Sequence, residues 1–210
     1  MIRLHYMPGS AALAPHAALA EIGVPYELVL AERDAEGLPT AEYLALNPWG
    51  RVPTLEDGDL VLSESAAICL HLADTFPEAG LAPPLGTRER SETYRWLLWL
   101  SNTVQMTAMR HFYPERYGGD GVEEAANRDL AEHYDLIERH LDVRGWLVGE
   151  ERTVADFFLF MLTRWGRFQE PPAWDRPELR AHWLRTLELG SPRTVLEEQG
   201  LPLPEFATAR

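Results

Sequence analysis

Residues 47–65 constrain what this chain can fold into more than any other stretch. They read Asn47-Pro48-Trp49-Gly50-Arg51-Val52-Pro53-Thr54-Leu55, then Glu56-Asp57-Gly58-Asp59, then Leu60-Val61-Leu62-Ser63-Glu64-Ser65. Proline at 53 biases Val52 toward extended backbone. Asp57-Gly58 between two apolar runs turns the chain back as a hairpin, and the second run feeds a helix that begins near Glu64-Ser65. With the Val52–Pro53 bond cis, Val52 presents its own N–H and C=O to an extended ligand backbone, as an added strand does. The helix start offers unpaired N–H groups to a carboxylate, and Glu64 offers a charge for an ammonium group. The stretch reads as a site for a small peptide-like anion.

Composition narrows the classes of partner. The chain has 210 residues, 46% of them hydrophobic, enough for one large or two modest domains with a substantial core. No apolar run reaches the length of a bilayer span, and the N-terminus lacks a basic segment followed by a long apolar stretch. Cys69 is the single cysteine, so no intrachain disulfide forms. Together these features lead us to expect a cytoplasmic protein. The formal net charge is −14, which argues against nucleic acid or an anionic membrane surface as partner. An anionic ligand therefore needs local help from helix ends and from arginines such as Arg33, Arg51 or Arg110.

Ile2 to Tyr6 reads as a strand ending at the turn Met7-Pro8-Gly9-Ser10. Leu13 to Gly23 is rich in alanine and leucine and closes on glycine, which suits a helix with its stop. Pro15 falls in its first turn, where a missing N–H costs little. Tyr26 to Leu30 is a second strand, completing a βαβ unit. A short helix over Ala41–Leu46, the hairpin, and a helix over Glu64–Phe76 complete a small α/β unit with a mixed sheet. A turn-rich linker follows, and everything beyond it reads as helix: Arg88 to Phe112, Glu123 to Leu141, Thr153 to Phe168, Pro177 to Leu189 and Pro192 to Gln199. Leu130, Tyr134, Ile137 and Leu141 recur at three or four residues on the second of these. The third is nearly all apolar and reads as the centre of a bundle. The expected domains are residues 1–78 and 87–210, with residues 79–86 as linker.

A small α/β domain with a Val-Pro loop and a Glu-Ser helix start, followed by an all-α domain, resembles the cytosolic glutathione S-transferases. Three blocks carry the resemblance. Leu4-His5-Tyr6-Met7-Pro8-Gly9-Ser10-Ala11-Ala12 is similar to the opening of the bacterial beta class. The second block is Asn47–Ser65, and the third is Thr153-Val154-Ala155-Asp156, similar to the family's buried capping box. The resemblance implies a thioredoxin-like N-terminal domain with a mixed four-stranded sheet, an all-α C-terminal bundle, and glutathione as co-substrate without a metal. Val52, with Arg51 and Pro53 beside it, would pair with the cysteinyl backbone, and Glu64 and Ser65 would take the γ-glutamyl end. The sulfur would point at the end of the first strand, near Tyr6 and Ser10. The family also implies a homodimer.

The chain departs from the beta-class pattern at two places. That pattern places a cysteine and then a serine after Pro-Gly-Ser, where this chain has Ala11 and Ala12. It also tends to carry a His-Lys pair on the long helix, where this chain has Gln105 and Met106. The candidate donors to a thiolate are then Tyr6 and Ser10. Tyr6 reads equally as a strand-end aromatic packing between the domains, and Ser10 reads first as a helix cap. Trp99, Gln105, Met106, Met109 and Phe112 are candidates for an apolar pocket that holds an electrophile, with plain helix packing as the alternative for each. Cys69, on an apolar helix, reads as a buried inert thiol. His133 and His140 are seven apart with no third ligand apparent, so no metal site is expected.

The function these features support is transfer of the glutathione thiolate to a small hydrophobic electrophile. Two rivals stand beside it. One is a glutathione-dependent isomerase or dehalogenase, and the other a non-catalytic binding or carrier protein. A different low-molecular-weight thiol would be the ligand if the organism uses one.

Overall fold

Alternating burial builds the first strand. In β1 (Ile2–Tyr6) the side chains of Ile2 and Leu4 are buried while Arg3 between them is exposed. After α1 (Leu13–Ile22) the chain returns as β2 (Tyr26–Leu30), parallel to β1. The crossover helix ends where the sequence supplies a residue for left-handed backbone: Gly23 has φ 76° and donates to the Leu19 carbonyl at 3.1 Å. The short α2 (Ala41–Leu46) is capped by Thr40, whose hydroxyl accepts from Tyr43 N–H. β3 (Thr54–Asp57) and β4 (Leu60–Ser63) form the expected hairpin, closed by Gly58-Asp59, and α3 (Ser65–Thr75) follows. The sheet order is β2-β1-β3-β4, with β3 antiparallel to both neighbours. Leu4 faces Leu55 in register, and both are fully buried together with Leu13 and Leu19 of α1 and Ile68 and Leu72 of α3. Each such side chain contributes about 1.5–3 kcal/mol of hydrophobic burial. Cys69 lies in the same core, where burial pushes its thiol pKa up and makes it inert.

The computed structural model describes residues 1–208. They divide into two compact units: Met1–Gly80 together with the chain from Leu189 onward, and Leu81–Glu188. This division differs from the expected boundaries at both ends of the helical region. Leu81 is fully buried, and its carbonyl accepts from Val154 N–H at 2.9 Å, so residues 81–86 of the expected linker belong to the second unit. The segment after Leu189 was expected to continue the helical domain; its last two residues lie outside the described residues. Instead α9 (Ser191–Glu198) packs on α1, with Val195 and Leu196 fully buried.

The second unit contains α4 (Arg88–Trp99), α5 (Met106–Phe112), α6 (Val122–Leu141), α7 (Val154–Trp165) and α8 (Pro177–Glu188). The single long helix expected over Arg88–Phe112 is interrupted by π-helix over Leu100–Gln105. Ser101, Asn102 and Thr103 sit in this run, and the Thr107 hydroxyl donates to the Thr103 carbonyl at 2.8 Å, engaging a group of the helical ladder. Every residue of α7 is buried, as expected for a helix apolar on all sides. Its start is the anticipated capping box. Asp156 accepts from Thr153 N–H at 2.7 Å, while the Thr153 hydroxyl accepts from Ala155 N–H at 3.2 Å. Asp156 also accepts from Leu147 N–H at 2.9 Å and from His182 Nε2 at 3.0 Å, tying α8 and a loop to the same carboxylate.

Candidate functional site

Sheet register brings three parts of the first unit to one end. Thr54 pairs with His5 of β1 and with Ser63 of β4. Tyr6, the Val52–Pro53 step and Glu64-Ser65 therefore all emerge at the same edge of the sheet. The Ser65 hydroxyl closes the group by donating to the Ala11 carbonyl at 2.9 Å, which fastens the start of α3 to the turn before α1.

The Val52–Pro53 bond is cis. Among the described residues, none donates to or accepts from the Val52 backbone, so its N–H and C=O remain open for an extended partner. The loop around it is held by a buried polar cluster that the sequence did not announce. The Tyr43 hydroxyl donates to the Arg51 carbonyl at 2.7 Å, and Asn47 Nδ2 donates to the same carbonyl at 2.8 Å. Both also reach Thr54 Oγ1, at 3.0 and 2.9 Å. Arg33 donates to the Gly50 carbonyl at 3.1 Å, so this arginine braces the loop. Gly50 has φ 63°, and a Cβ there would lie 2.7 Å from Pro39 Cγ, so the turn admits only glycine. Burial pushes the Tyr43 hydroxyl pKa up, keeping it a donor. One signal in the sequence could have pointed here: an asparagine and a threonine flanking the Val-Pro step, polar groups that need partners when buried.

Glu64 is the one non-glycine residue with positive φ among the described residues, at 71°. Such backbone costs about 1–3 kcal/mol and gathers at functional positions. Glu64 is exposed, and its side chain makes no cap bond to α3. The first N–H groups of that helix thus have no side-chain cap. Of the other expected site residues, Arg51 is exposed, Pro53 is buried, and Ser65 is buried with its hydroxyl engaged as described. Arg110 sits on α5 of the other unit with its guanidinium 6.0 Å from the Tyr117 ring.

Tyr6 is half-buried, and its hydroxyl has no partner among the described residues, while its carbonyl accepts from Ala31 N–H at 2.9 Å. Ser10 behaves as a local cap. Its Oγ accepts from Ala12 N–H at 3.3 Å, and its carbonyl accepts from Leu13 N–H at 3.1 Å. Ala12 is fully buried.

The five expected pocket residues all lie in the second unit and do not form one aromatic group. Trp99 packs edge-on against Trp96 and His133, each at 5.6 Å between ring centres. Phe112 packs edge-on against Trp165 and Phe168, at 6.0 and 5.9 Å. Gln105 closes the π-helical run, and Met106 and Met109 follow on α5, Met106 being 38% exposed.

Residues 1–74 match the family model described as "Glutathione S-transferase, N-terminal domain", and residues 100–189 match "Glutathione S-transferase, C-terminal domain". The chain belongs to the glutathione S-transferase family. Glutathione S-transferase GST-4.5 of Xanthomonas campestris pv. campestris is 31% identical over 205 residues, spanning 95% of this chain and 100% of that protein. A bacterial beta class glutathione S-transferase of Sphingomonas chungbukensis aligns over 95% of this chain and 100% of its own, with TM-score 0.85 and 30% identity. A sphingomonad glutathione S-transferase solved in complex with glutathione gives TM-score 0.85 at 28% identity, over 95% and 100% of the two chains. The fold class is therefore that of this glutathione S-transferase family: a thioredoxin-like domain with a mixed four-stranded sheet, and a helical domain. No helix among the described residues is long and apolar enough to cross a membrane.

Proposed function

We propose that this glutathione S-transferase binds glutathione along Val52 and transfers its thiolate to a small hydrophobic electrophile. The observation that carries the proposal is the open Val52 backbone at the sheet edge that also holds the uncapped start of α3 and the unpartnered Tyr6 hydroxyl. The cysteinyl backbone would pair with Val52 as an added strand, with Arg51 and Pro53 flanking it. The γ-glutamyl carboxylate would meet the α3 N–H groups and Ser65, gaining about 0.3–1 kcal/mol from the helix dipole, and its ammonium would meet Glu64.

A free thiol has a pKa near 8.5, and lowering it by about 2 units takes about 2.7 kcal/mol of preferential stabilisation of the thiolate. Tyr6 is the first candidate to donate, with Ser10 second, because Ala11 and Ala12 have only methyl side chains. Holding thiolate and electrophile together supplies the remaining acceleration, with Trp99, Gln105, Met106, Met109 and Phe112 as candidates to hold the electrophile. The protein would work as a homodimer in the cytoplasm.

Calorimetry with glutathione and other low-molecular-weight thiols, followed by a panel of electrophiles run with and without glutathione, tests this. Tyr6→Phe should lower thiol transfer by about tenfold or more, the loss of one charge-assisted donor. An unchanged rate removes Tyr6 from the mechanism. Methyl side chains at Ala11 and Ala12, with Gln105 and Met106 in place of a cationic pair, favour a second reading, a thiol-peptide carrier. Tight binding with no acceleration of any electrophile would establish that reading instead.

A further inference from the structure

The turn between β1 and α1 is tied to the far end of the sequence through one carboxamide. Gly9 N–H donates to Gln199 Oε1 at 3.0 Å, across 190 residues. With its oxygen so committed, Gln199 presents Nε2 to His16 Nδ1 at 2.9 Å. An acceptor Nδ1 places the imidazole proton on Nε2, which faces Glu198 Oε2 at 2.9 Å and the Tyr26 hydroxyl at 3.1 Å. The Tyr26 hydroxyl in turn donates to Glu198 at 3.1 Å. Gln199 is 5% exposed and His16 is fully buried, so water does not readily replace these partners. Leu201 adds an apolar contact: a Cβ on Gly9 would lie 3.5 Å from its Cδ2.

The turn held this way runs from Met7 to Ala12. Ser10 N–H donates to Met7 O at 3.1 Å, Ala12 N–H to Ser10 Oγ and Leu13 N–H to Ser10 O. Ala11 N–H has no partner among the described residues. With methyl side chains at 11 and 12, what this turn can offer a thiolate is the Ala11 N–H and the Ser10 hydroxyl, and their placement depends on where Gly9 is held.

We infer that Gln199, oriented by His16, is a positioning residue for thiolate activation: it fixes the Gly9–Ala12 turn whose donors face the glutathione sulfur. The inference rests on the glutathione reading of the site and adds to it Gln199, just after α9, whose carboxamide bonds Gly9 and His16 and not the residues proposed to bind glutathione. Glu198 and Tyr26 act one step further out, by holding the imidazole in the tautomer that accepts from Gln199.

Amide hydrogen exchange on the wild-type protein gives the first test. Gly9 N–H should exchange about a hundredfold or more slower than an unstructured glycine, because its acceptor is buried. Gln199→Met keeps the side-chain length but has neither donor nor acceptor for these partners. It should abolish the protection at Gly9 while Leu4 in β1 stays protected. Gln199→Glu keeps an acceptor for Gly9 and should restore the protection. The second test follows the ultraviolet absorbance of bound glutathione thiolate against pH. In Gln199→Met the bound-thiol pKa should rise by about one unit, a tenfold loss of thiolate, with KM for glutathione within about twofold because Val52 and α3 are untouched. An unprotected Gly9 in the wild type, or lost protection with no change in thiol pKa, overturns the inference. If the wild type binds no thiol, the functional reading fails. The exchange data then decide by themselves whether Gln199 holds the turn.

Discussion

The buried cluster under the Val52 loop makes a quantitative prediction about glutathione affinity. Asn47→Ala removes two buried hydrogen bonds, to the Arg51 carbonyl and to Thr54 Oγ1. It also removes the Oδ1 acceptor of Trp49 N–H, but Trp49 is 79% exposed, so its N–H can find water. At about 0.5–1.5 kcal/mol per bond, the loss is about 1–3 kcal/mol. Tyr43→Phe keeps the ring and loses the hydroxyl, for about 0.5–1.5 kcal/mol. In either single variant the other side chain still serves both the Arg51 carbonyl and Thr54 Oγ1. In the double variant neither group keeps its partner from this pair, and each unsatisfied buried group costs about 1–3 kcal/mol. The two changes should therefore couple by about 1 kcal/mol or more beyond their sum. A loop loosened in the free protein must be ordered again by the ligand, so the loss shows as weaker binding. Calorimetry should find glutathione about 5- to 150-fold weaker for Asn47→Ala, and more than the product of the single effects for the double variant. Additive effects, or unchanged affinity with only a lower melting temperature, would refute the claim that this cluster positions the binding loop.

Three further outcomes follow from the same geometry. Asp156→Ala strips one buried carboxylate from Thr153 N–H, Leu147 N–H and His182; it should cost about 3–5 kcal/mol and lower the melting temperature by about 10 °C in calorimetric scans. Gly50→Ala puts a Cβ 2.7 Å from Pro39 Cγ at φ 63°; it should weaken glutathione at least as much as Asn47→Ala, and affinity equal to wild type would show that the turn is not under this constraint. Burial, outweighing the nearby Glu198, lowers the His16 pKa from 6.5, and burial lowers those of His133 and His140 also. Below about pH 6.5 the unfolded chain takes up protons that these folded side chains resist, so stability should fall as pH drops through that range and recover above it. Melting curves on wild type and His16→Gln check this: the variant should be less stable at neutral pH but show a shallower fall below pH 6.5.

The backbone geometry of the candidate binding face was legible because it is local. From Asn47 to Ser65 the sequence specifies its own turn, hairpin and helix start in nineteen consecutive residues, and the hairpin register, which ends with Thr54 opposite Ser63, brings Val52-Pro53 and Glu64-Ser65 to the same end of the sheet. The capping box at Thr153 and Asp156 was legible for the same reason, since its partners are three residues apart. Composition could not show where the helical region divides. Residues 191–198 have the apolar spacing of any amphipathic helix, and nothing in that spacing says which unit the apolar face covers. Nor could periodicity show the π-helical run, whose apolar positions at Leu100 and Val104 fit an ordinary helix.

Polar groups that meet across long stretches of sequence are the hardest to anticipate, and in this protein they tie the turn before α1 to the residue that follows α9. His16 sits in an alanine- and leucine-rich helix where an aliphatic residue would pack as well, and Gln199 follows two glutamates on a surface helix. Neither has a pattern that marks it. What distinguishes them is that a fully buried imidazole has two ring nitrogens to satisfy, and leaving one bare costs about 1–3 kcal/mol. Gln199 satisfies one of them with the only orientation that also accepts from Gly9. A substitution at either residue therefore cannot be absorbed locally. Losing the Gln199 carboxamide oxygen, or the His16 nitrogen that orients it, disturbs how the turn at the end of β1 is held, which is why a change near the last helices should be read out at the thiol.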